Sequence, residues 1–367
     1  MKISFQKADI LDAVQRVQSI VSTKTTLSIL SNLMIESAEG NVILTGTDLQ
    51  VGIRCKLAAK VLEPGGSTIP ARMLSSILRE LPGDDVELSI DAKDIATITS
   101  GRSFFKLMGI SKEEYPKLPE FSEEQAFAIE QEVLADMLHK CVYAISREDS
   151  RYALMGLYFL LKDKSLILVA TDGRRLSKMS TPINIDVKYK KDFIVPLKAV
   201  EELTKMLGSE GEVKVFLAKN QVAFDVEDTR LMSRLIDGAF PDYERVIPET
   251  SQEKISIPRQ EFASLARMAS LITSDRAGMI RLRFEKEKLT VTSHAPEIGE
   301  ARADMPIDFK GKEVEVGFNP AFVRDVLSSM DEDEITIELT DSLSPGVIRG
   351  EGTFIHVIMP MRLLDSE

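Results

Sequence analysis

The sequence is poor in the residues that build metal sites and disulfide scaffolds. It has no tryptophan, three histidines and two cysteines among 367 residues. Cys55 and Cys141 cannot form a disulfide framework, so we expect free thiols and a cytoplasmic protein. None of His139, His294 and His356 has another His or a Cys at the spacing of metal ligands, which argues against a zinc site. We therefore predict a protein without a metal or other cofactor.

Long apolar runs are also missing. The longest stretches, 157–161 and 166–170, are far too short to cross a bilayer. The N-terminus alternates polar and apolar residues and lacks the continuous apolar core of a signal peptide. Apolar residues make up 44% of the chain and charged residues 28%, a balance typical of globular proteins.

The sequence motifs of common enzymes are absent as well. We find no phosphate-binding loop, no dinucleotide-binding glycine pattern and no Gly-x-Ser-x-Gly elbow. The acidic run 331–334 resembles the start of a calcium loop, but Thr336 stands where that loop requires glycine. We interpret this run as a turn between a helix and a strand, and we expect no catalytic activity.

An internal repeat is the strongest feature that is present. The segments 3–22, 127–146 and 255–274 align without gaps, and each continues from an alternating strand into a helix with one apolar face. The apolar positions are Ile10, Ala13, Val14, Val17 and Ile20, then Leu134, Met137, Leu138, Cys141 and Ala144, then Phe262, Leu265, Ala266, Ala269 and Ile272. A second helix is predicted later in each repeat.

Proline-containing linkers at 115–119 and 241–248 separate the repeats. The sequence therefore predicts domains at 1–119, 126–247 and 254–367. Each domain is expected to contain two successive copies of one pattern, a strand followed by a helix and three strands. The fold class is α+β, with three repeated two-layer domains in which helices cover one face of antiparallel sheets. Repeated domains commonly build an arc or ring, and two chains joined head to tail would close it.

The net charge of −12 argues, taken alone, against nucleic acid as a partner. Within the six predicted helices, however, acidic and basic residues nearly balance, so the excess acid lies in strands, loops and linkers. The helices are therefore close to neutral, whereas the rest of the chain is acidic.

Short motifs in all three repeats carry a resemblance to a known family. They include LTGTDL at 44–49, IPAR at 69–72, ATDG at 170–173, FPDY at 240–243 and MPMRL at 359–363. The chain resembles the bacterial DNA polymerase III beta subunits, the DNA sliding clamps. The resemblance implies a head-to-tail homodimeric ring, with helices lining the inside and sheets outside, that encircles duplex DNA and confers processivity on the replicative polymerase.

In such a ring, sequence-independent phosphate contacts are weak enough to allow sliding. The positions that the resemblance places near DNA are Lys7, Lys24, Arg72, Arg151, Tyr152, Lys198 and Arg267. The family often has Gln and a second Tyr where this chain has Glu148 and Ala153.

The resemblance also implies that DNA polymerases, the clamp loader and repair proteins dock as short peptides between the second and third domains. The matching positions of the second domain are Leu154, Thr171, Gly173, Arg174, Arg175, Leu176, Pro241, Arg245 and Val246. Those of the third domain are Asn319, Phe322, Leu343, Ile358, Met359, Pro360, Met361 and Arg362. An apolar recess with adaptable methionines suits the capture of several peptides.

Several of these positions also have a purely structural interpretation. Leu176, Val246 and Ile358 would be core residues in most proteins, and Arg174 and Arg175 could be surface charges. The segment 171–173 could be a turn that closes two strands, because Thr-Asp recurs at 47–48, where no pocket is expected. Arg174 stands where the family often has His, and the tail 364–367 could partly shade the pocket.

Ring closure would bring the first domain of one chain against the third domain of another. The expected residues are Arg102, Phe105, Lys106 and Met108 on one side and Leu271, Ile272, Glu297 and Glu300 on the other. Their alternative role is that of a helix end in its own core and of solvated charges.

Two other functions stay open. One is a peptide-binding scaffold that keeps the fold but forms no ring and binds no DNA. The other is an enzyme that uses 171–175, for instance a phosphotransferase, although no phosphate loop supports it. A dimer mass in solution would favour the clamp over both.

Overall fold

The computed structural model describes residues 1–21, 26–38, 40–122, 126–183, 191–273, 278–350 and 352–363. Six α-helices lie in that part of the chain: α1 (Lys7–Gln18), α2 (Ala71–Glu80), α3 (Gln131–Cys141), α4 (Leu197–Met206), α5 (Arg259–Ser270) and α6 (Pro320–Ser328).

The strands follow the predicted order in each repeat. The first repeat has β1 (Lys2–Gln6), β2 (Asn32–Ala38), β3 (Asn41–Thr47), β4 (Val51–Ala58), β5 (Lys60–Glu63), β6 (Gly66–Pro70), β7 (Asp85–Ile90), β8 (Ile95–Ser100) and β9 (Ser103–Met108). The second has β10 (Ala126–Glu130), β11 (Gly156–Lys162), β12 (Ser165–Thr171), β13 (Arg175–Pro182), β14 (Lys191–Pro196), β15 (Glu212–Leu217), β16 (Gln221–Val226) and β17 (Thr229–Arg234). The third has β18 (Glu253–Pro258), β19 (Ile280–Glu285), β20 (Lys288–Ala295), β21 (Gly299–Pro306), β22 (Val314–Phe318), β23 (Glu334–Leu339), β24 (Gly346–Arg349) and β25 (Ile355–Ile358). Only β5 is an addition to the predicted pattern, and the predicted α+β class is confirmed.

The predicted apolar stripes account for how the helices pack. Every predicted stripe residue is buried except Ile272. That residue lies two positions past the end of α5 at Ser270 and is partly exposed. Burial of a large apolar side chain contributes roughly 1.5–3 kcal/mol, so each stripe fixes its helix against a sheet.

The chain forms two compact units, of which one contains residues 1–132 and 201–235 and the other residues 133–200 and 236–367. The first unit holds a five-stranded sheet in the order β5-β1-β7-β8-β9 and an eight-stranded sheet in the order β10-β15-β16-β17-β4-β3-β2-β6. The second unit holds an eight-stranded sheet in the order β14-β11-β12-β13-β25-β24-β23-β18 and a four-stranded sheet in the order β21-β20-β19-β22.

Each eight-stranded sheet joins two consecutive repeats. In the first unit β17 pairs antiparallel with β4, which puts Leu231 opposite Ile53. In the second unit β13 pairs antiparallel with β25, which puts Ser177 opposite His356. Strands of the middle repeat therefore occur in both units, and the compact units do not coincide with the repeats. The domain limits 1–119, 126–247 and 254–367 stay a prediction.

Both cysteines are buried and free of a disulfide. Burial raises the pKa of the Cys141 thiol to about 12. Among the described residues, no helix is long and apolar enough to cross a membrane.

Candidate functional site

Several of the predicted peptide positions lie at one end of the β13–β25 pair in the second unit. Ile358, the last residue of β25, lies opposite Arg175 of β13 and Gly346 of β24. Three connecting segments meet at this end: the turn 171–175, the loop 340–345 and the segment 359–362. The amide of Met359 extends the pairing by donating to the carbonyl of Arg174 over 2.9 Å.

The segment 171–175 is a turn fixed by its own side chains. The Thr171 hydroxyl donates to the carbonyl of Arg175 over 2.6 Å and accepts from the amide of Gly173 over 3.0 Å. One carboxylate oxygen of Asp172 accepts from the amides of Arg174 and Arg175. The segment therefore forms the turn that the structural interpretation describes, and the peptide-binding role of Thr171 stays a prediction.

The first repeat contains the same turn. The Thr47 hydroxyl donates to the carbonyl of Val51, and the Asp48 carboxylate accepts from the amides of Gln50 and Val51. Leu49 takes the place of glycine there, with φ of +75°.

A close contact distinguishes Gly173 from Leu49. Gly173 has φ of +84°, and a Cβ at this position would overlap Nη1 of Arg151. The same Nη1 donates to the carbonyl of Asp172 over 3.2 Å. The backbone conformation thus favours glycine here, and a Cβ would in addition displace the arginine that lies over it.

Arg175 holds three segments together and is nearly buried. Its Nε donates to Asp172 over 3.1 Å, its Nη2 donates to the carbonyl of Tyr143 over 2.6 Å, and its Nη1 donates to Asp325 of α6 over 2.6 Å. The guanidinium also lies 4.5 Å from the ring centre of Phe322, which is within cation–π range. Arg175 is therefore neither a solvated surface charge nor an open donor group.

A fully buried histidine lies behind this arginine. Nδ1 of His356 is 3.0 Å from the hydroxyl of Tyr143, whose own carbonyl bonds Arg175. Burial, with a smaller contribution from Arg175, lowers the pKa of His356 to about 3. The imidazole is consequently neutral at ordinary pH.

The predicted peptide positions divide into buried, partly buried and exposed groups. The buried ones are Leu154, Thr171, Leu176 and Ile358. The partly buried ones are Arg175, Asn319, Phe322, Pro360 and Met361, and the exposed ones are Gly173, Arg174, Pro241, Arg245, Val246, Leu343, Met359 and Arg362. Asn319 caps α6 by accepting from the amide of Ala321 over 2.8 Å.

The exposed group provides the chemistry of a docking surface. Leu343, Val246 and Met359 expose 72%, 42% and 39% of their surface. Arg174 and Arg245 are exposed charges on neighbouring segments, whereas Leu176 and Ile358 belong to the core. The arrangement can bury apolar side chains of a partner next to exposed cations.

The predicted DNA positions are distributed over several helices and one loop. Arg72 on α2, Lys198 on α4 and Arg267 on α5 are exposed, as are Arg151 and Tyr152 in the 3₁₀ helix Asp149–Leu154. Lys24 lies outside the described residues.

Lys7 serves another purpose in the structure. Its ammonium donates to the carbonyls of Arg79 and Leu81 at the end of α2, over 3.2 and 2.5 Å. Lys7 thus closes a helix C-terminus, where a cation is favoured by the helix dipole.

The predicted dimer residues lie at exposed sheet edges and a helix end. Arg102, Phe105, Lys106 and Met108 are exposed on or beside β9, at one end of the five-stranded sheet. Glu297 and Glu300 are exposed beside or in β21, at one end of the four-stranded sheet, and Leu271 is exposed after α5. Phe104 and Ile298, exposed by 66% and 56%, extend the same two surfaces and were not predicted.

Sequence reasoning also missed three residues next to Arg175. The guanidinium donates to the carbonyl of Tyr143 and to the carboxylate of Asp325. His356 contacts it indirectly, through the hydroxyl of Tyr143. The one signal in the sequence is His356, a lone histidine among the apolar residues of a predicted strand. From the sequence it is considered only as a possible metal ligand. The described residues contain no group of His, Cys, Asp and Glu that could hold a metal ion.

Comparisons with known proteins agree along the whole chain. Family models of the N-terminal, central and C-terminal domains of the DNA polymerase III beta subunit match residues 1–119, 128–242 and 244–362. The beta sliding clamp of Chlamydia muridarum is 34% identical over 366 residues, covering 100% of both chains. The DNA polymerase sliding clamp of Bacillus subtilis has a similar structure, with a TM-score of 0.96, 28% identity and coverage of 99% of this chain and 100% of that one.

A further similar structure is that of the sliding clamp, or DNA polymerase III subunit beta, of Bartonella birtlesii bound to griselimycin. It has a TM-score of 0.93 and 31% identity, and the similarity covers 99% of this chain and 100% of that one. With all three domain models matched and relatives above 30% identity covered from end to end, this chain belongs to the DNA polymerase III beta subunit family, the beta sliding clamps.

Proposed function

We propose that this protein is a DNA sliding clamp, a head-to-tail homodimeric ring that encircles duplex DNA and makes the replicative polymerase processive. The observation that carries the proposal is the end-to-end similarity to beta sliding clamps, in sequence and in structure. Three clamp domains per chain, at about 1–119, 126–247 and 254–367, would give a ring of six domains in the dimer.

Two exposed strand edges support closure of the ring. β9 presents Phe104 and Met108, exposed by 66% and 70%, and lies at the end of its sheet. β21 lies at the end of another sheet, beside Ile298 and the 74% exposed Leu271. A β9 from one copy that pairs with β21 of a second copy would continue a sheet and cover these apolar side chains.

Charges at the same edges favour this pairing of unlike surfaces. Arg102 and Lys106 flank the aromatic residues of β9, whereas Glu297 and Glu300 flank the edge at β21. Opposite charges would meet in a head-to-tail contact, and like charges would meet in a head-to-head contact. The contact therefore favours one orientation.

Binding to DNA would rest on exchangeable phosphate contacts rather than on recognition of bases. The exposed Arg72, Lys198 and Arg267 are helix residues whose cations can approach phosphates, and Arg151 and Tyr152 would add to them. Because the net charge is −12, the ring holds DNA by topology and not by affinity.

The surface around Leu343, Val246 and Met359 is proposed as the peptide-binding site for DNA polymerases, the clamp loader and repair proteins. It combines exposed apolar side chains with exposed arginines on a rigid turn and sheet end. We infer that griselimycin, which is bound to the Bartonella clamp, binds here as well.

This function needs neither catalysis nor a cofactor of the protein's own. We propose a cytoplasmic processivity factor within the DNA polymerase complex, with partners supplying all chemistry. No substrate-activating group is required by any step of this proposal, since a topological link replaces a reaction.

The test is retention of the protein on DNA of defined topology. The protein would be loaded by its clamp loader onto a nicked circular plasmid and separated by gel filtration. We expect it to elute with the circle and to be released when a restriction enzyme linearises the plasmid. Equal retention on linear DNA with free ends would contradict encirclement. A monomer by light scattering that still binds griselimycin would indicate the peptide-binding scaffold instead.

A further inference from the structure

His356 occupies a position where an apolar residue would be expected. It lies in the middle of β25 between Ser177 of β13 and Ile348 of β24, and it is fully buried. One ring nitrogen, Nδ1, is 3.0 Å from the Tyr143 hydroxyl. The other, Nε2, is buried and has no hydrogen-bond partner among the residues that the structure describes.

An unpaired buried nitrogen is unfavourable for folding. Leaving a buried polar atom unsatisfied costs about 1–3 kcal/mol, whereas an apolar residue of similar size would carry no such penalty. The bond to Tyr143 therefore offsets only part of what histidine loses at this position. Stability alone therefore does not explain a histidine at this position.

Tyr143 connects His356 to the guanidinium of Arg175. Its carbonyl accepts from Nη2 of Arg175 over 2.6 Å, and its ring centre lies 5.5 Å from the guanidinium carbon. The ring centres of Tyr143 and His356 are 5.5 Å apart, so the two side chains pack together as well as bond. A rotation of the Tyr143 side chain would thus move its ring away from the Arg175 guanidinium, while the bond to the backbone carbonyl would remain.

Arg175 in turn fixes α6. Nη1 bonds Asp325 over 2.6 Å, and the guanidinium carbon lies 4.5 Å from the ring centre of Phe322. The contacts run from His356 through Tyr143 and Arg175 to Asp325, from the sheet to the helix that carries Phe322. Phe322 and Arg175 both belong to the proposed peptide site.

We propose that His356 is a positioning residue of the peptide-binding site: through Tyr143 it holds Arg175, and with it α6, in the geometry that receives a docked peptide. The inference rests on the proposed function of this surface. His356 itself touches no ligand, because it is buried beneath Arg175. Its low pKa fits this role, since the neutral ring keeps one geometry with Tyr143 over the ordinary pH range.

The test separates affinity from stability. In His356→Leu the unpaired nitrogen disappears together with the bond to Tyr143. We expect the melting temperature to stay the same or rise, while griselimycin binding measured by calorimetry weakens about 3- to 10-fold, the effect of one hydrogen bond. Tyr143→Phe, which keeps the ring and the backbone carbonyl, should weaken binding to a similar degree.

Three further variants sharpen the result. The double variant should bind no worse than either single one, because both changes remove the same bond. His356→Asn offers a polar atom near the place of Nδ1 and should restore binding. His139→Leu, at an exposed position of α3, is the matched control and should bind as the wild type does.

The outcomes that would overturn the inference differ from those that would overturn the proposed function. Wild-type affinity in His356→Leu and Tyr143→Phe would refute the positioning role. A parallel fall of affinity and melting temperature in both variants, without rescue by Asn, would make His356 merely structural. Failure of the wild-type protein to bind griselimycin would instead contradict the assignment of the peptide site, and the inference would fall with it.

Discussion

Nη1 of Arg175 lies 2.6 Å from Oδ2 of Asp325, so a strand of the second repeat is bonded to a helix of the third. The two side chains are 11% and 31% exposed. A charge pair shielded to this degree is weakly screened, and the loss of one partner leaves the other charge poorly solvated.

Asp325→Asn tests how much the charge pair between Arg175 and Asp325 contributes to stability and to binding. The amide keeps the shape but lacks the charge, so we expect urea unfolding to show a loss of about 1–2 kcal/mol, together with weaker griselimycin binding. Asp308→Asn is the control, because both it and its partner Lys310 are strongly exposed, and such pairs contribute about 0–1 kcal/mol. Equal losses in both variants would show that the Arg175 pair has no special role.

Gly173→Ala tests the contact between the turn and Arg151. A side chain at φ of +84° costs about 1 kcal/mol, and the new Cβ would displace the arginine from the carbonyl of Asp172. Since Arg151→Ala removes the same bond, we expect the losses in the double variant, measured by urea unfolding, to be less than additive. Strict additivity would mean that Arg151 does not rest on Gly173 in solution. Gly352→Ala, with φ of +68° and no atom within 4 Å of its new Cβ, isolates the backbone cost.

Met108→Glu tests the proposed ring. The side chain is 70% exposed, so the substitution should leave the fold stable while placing a charge in the contact between two copies. Light scattering should show a monomer at micromolar concentration. Leu62→Glu on β5, an exposed position at the opposite end of the same sheet, should remain dimeric. A dimer in both variants would remove β9 from the interface.

The order of helices and strands was predictable because it depends on neighbours in the sequence. The buried residues of α1, among them Ile10 and Val14, recur every three or four positions. Along the strands, residues that face the core alternate with residues that face away from it. The same patterns occur in all three repeats, and each occurrence supports the prediction made for the other two. β5 was missed because its short, exposed sequence has no buried face.

The joining of repeats was not predictable in the same way. The pairing of Ser177 with His356 links residues far apart in the chain, and no local pattern encodes it. Asp325 has the spacing of an ordinary solvated helix acid, yet it binds Arg175. Lys7 has the sequence of an exposed cation, yet it caps α2, because the end of that helix lies beside it only in the folded state.

Leu343→Ser tests the exposed part of the peptide site. Because Leu343 is already 72% exposed, the variant should unfold at the same urea concentration as the wild type. A leucine covered by a ligand contributes roughly 1.5–3 kcal/mol, so griselimycin should bind at least about 10-fold more weakly. Leu49→Ser, which changes an exposed leucine in the first repeat, outside the proposed site, should bind normally. Unchanged affinity in Leu343→Ser would place the ligand elsewhere.

His356 also predicts how stability depends on pH. Its pKa is about 3 in the folded protein, where it is buried beside the charged Arg175 and the neutral Tyr143. In the unfolded chain the pKa is about 6.5, so between these values only the unfolded state binds the proton. The contribution of neutral His356 to the free energy of unfolding is therefore fully present above about pH 6.5. It falls as the pH decreases below that value, by up to about 1.4 kcal/mol per pH unit.

Comparing His356→Leu with the wild type isolates this contribution from that of the carboxylates. Between pH 7 and pH 5 the wild type should lose about 2 kcal/mol more than the variant, as measured by urea unfolding at both values. His139→Leu, at an exposed position of α3, is the control for the removal of a histidine elsewhere in the chain. Parallel pH dependence in the wild type and His356→Leu would show that His356 is protonated in the folded protein, and the neutral bond between its Nδ1 and the Tyr143 hydroxyl would then have to be abandoned.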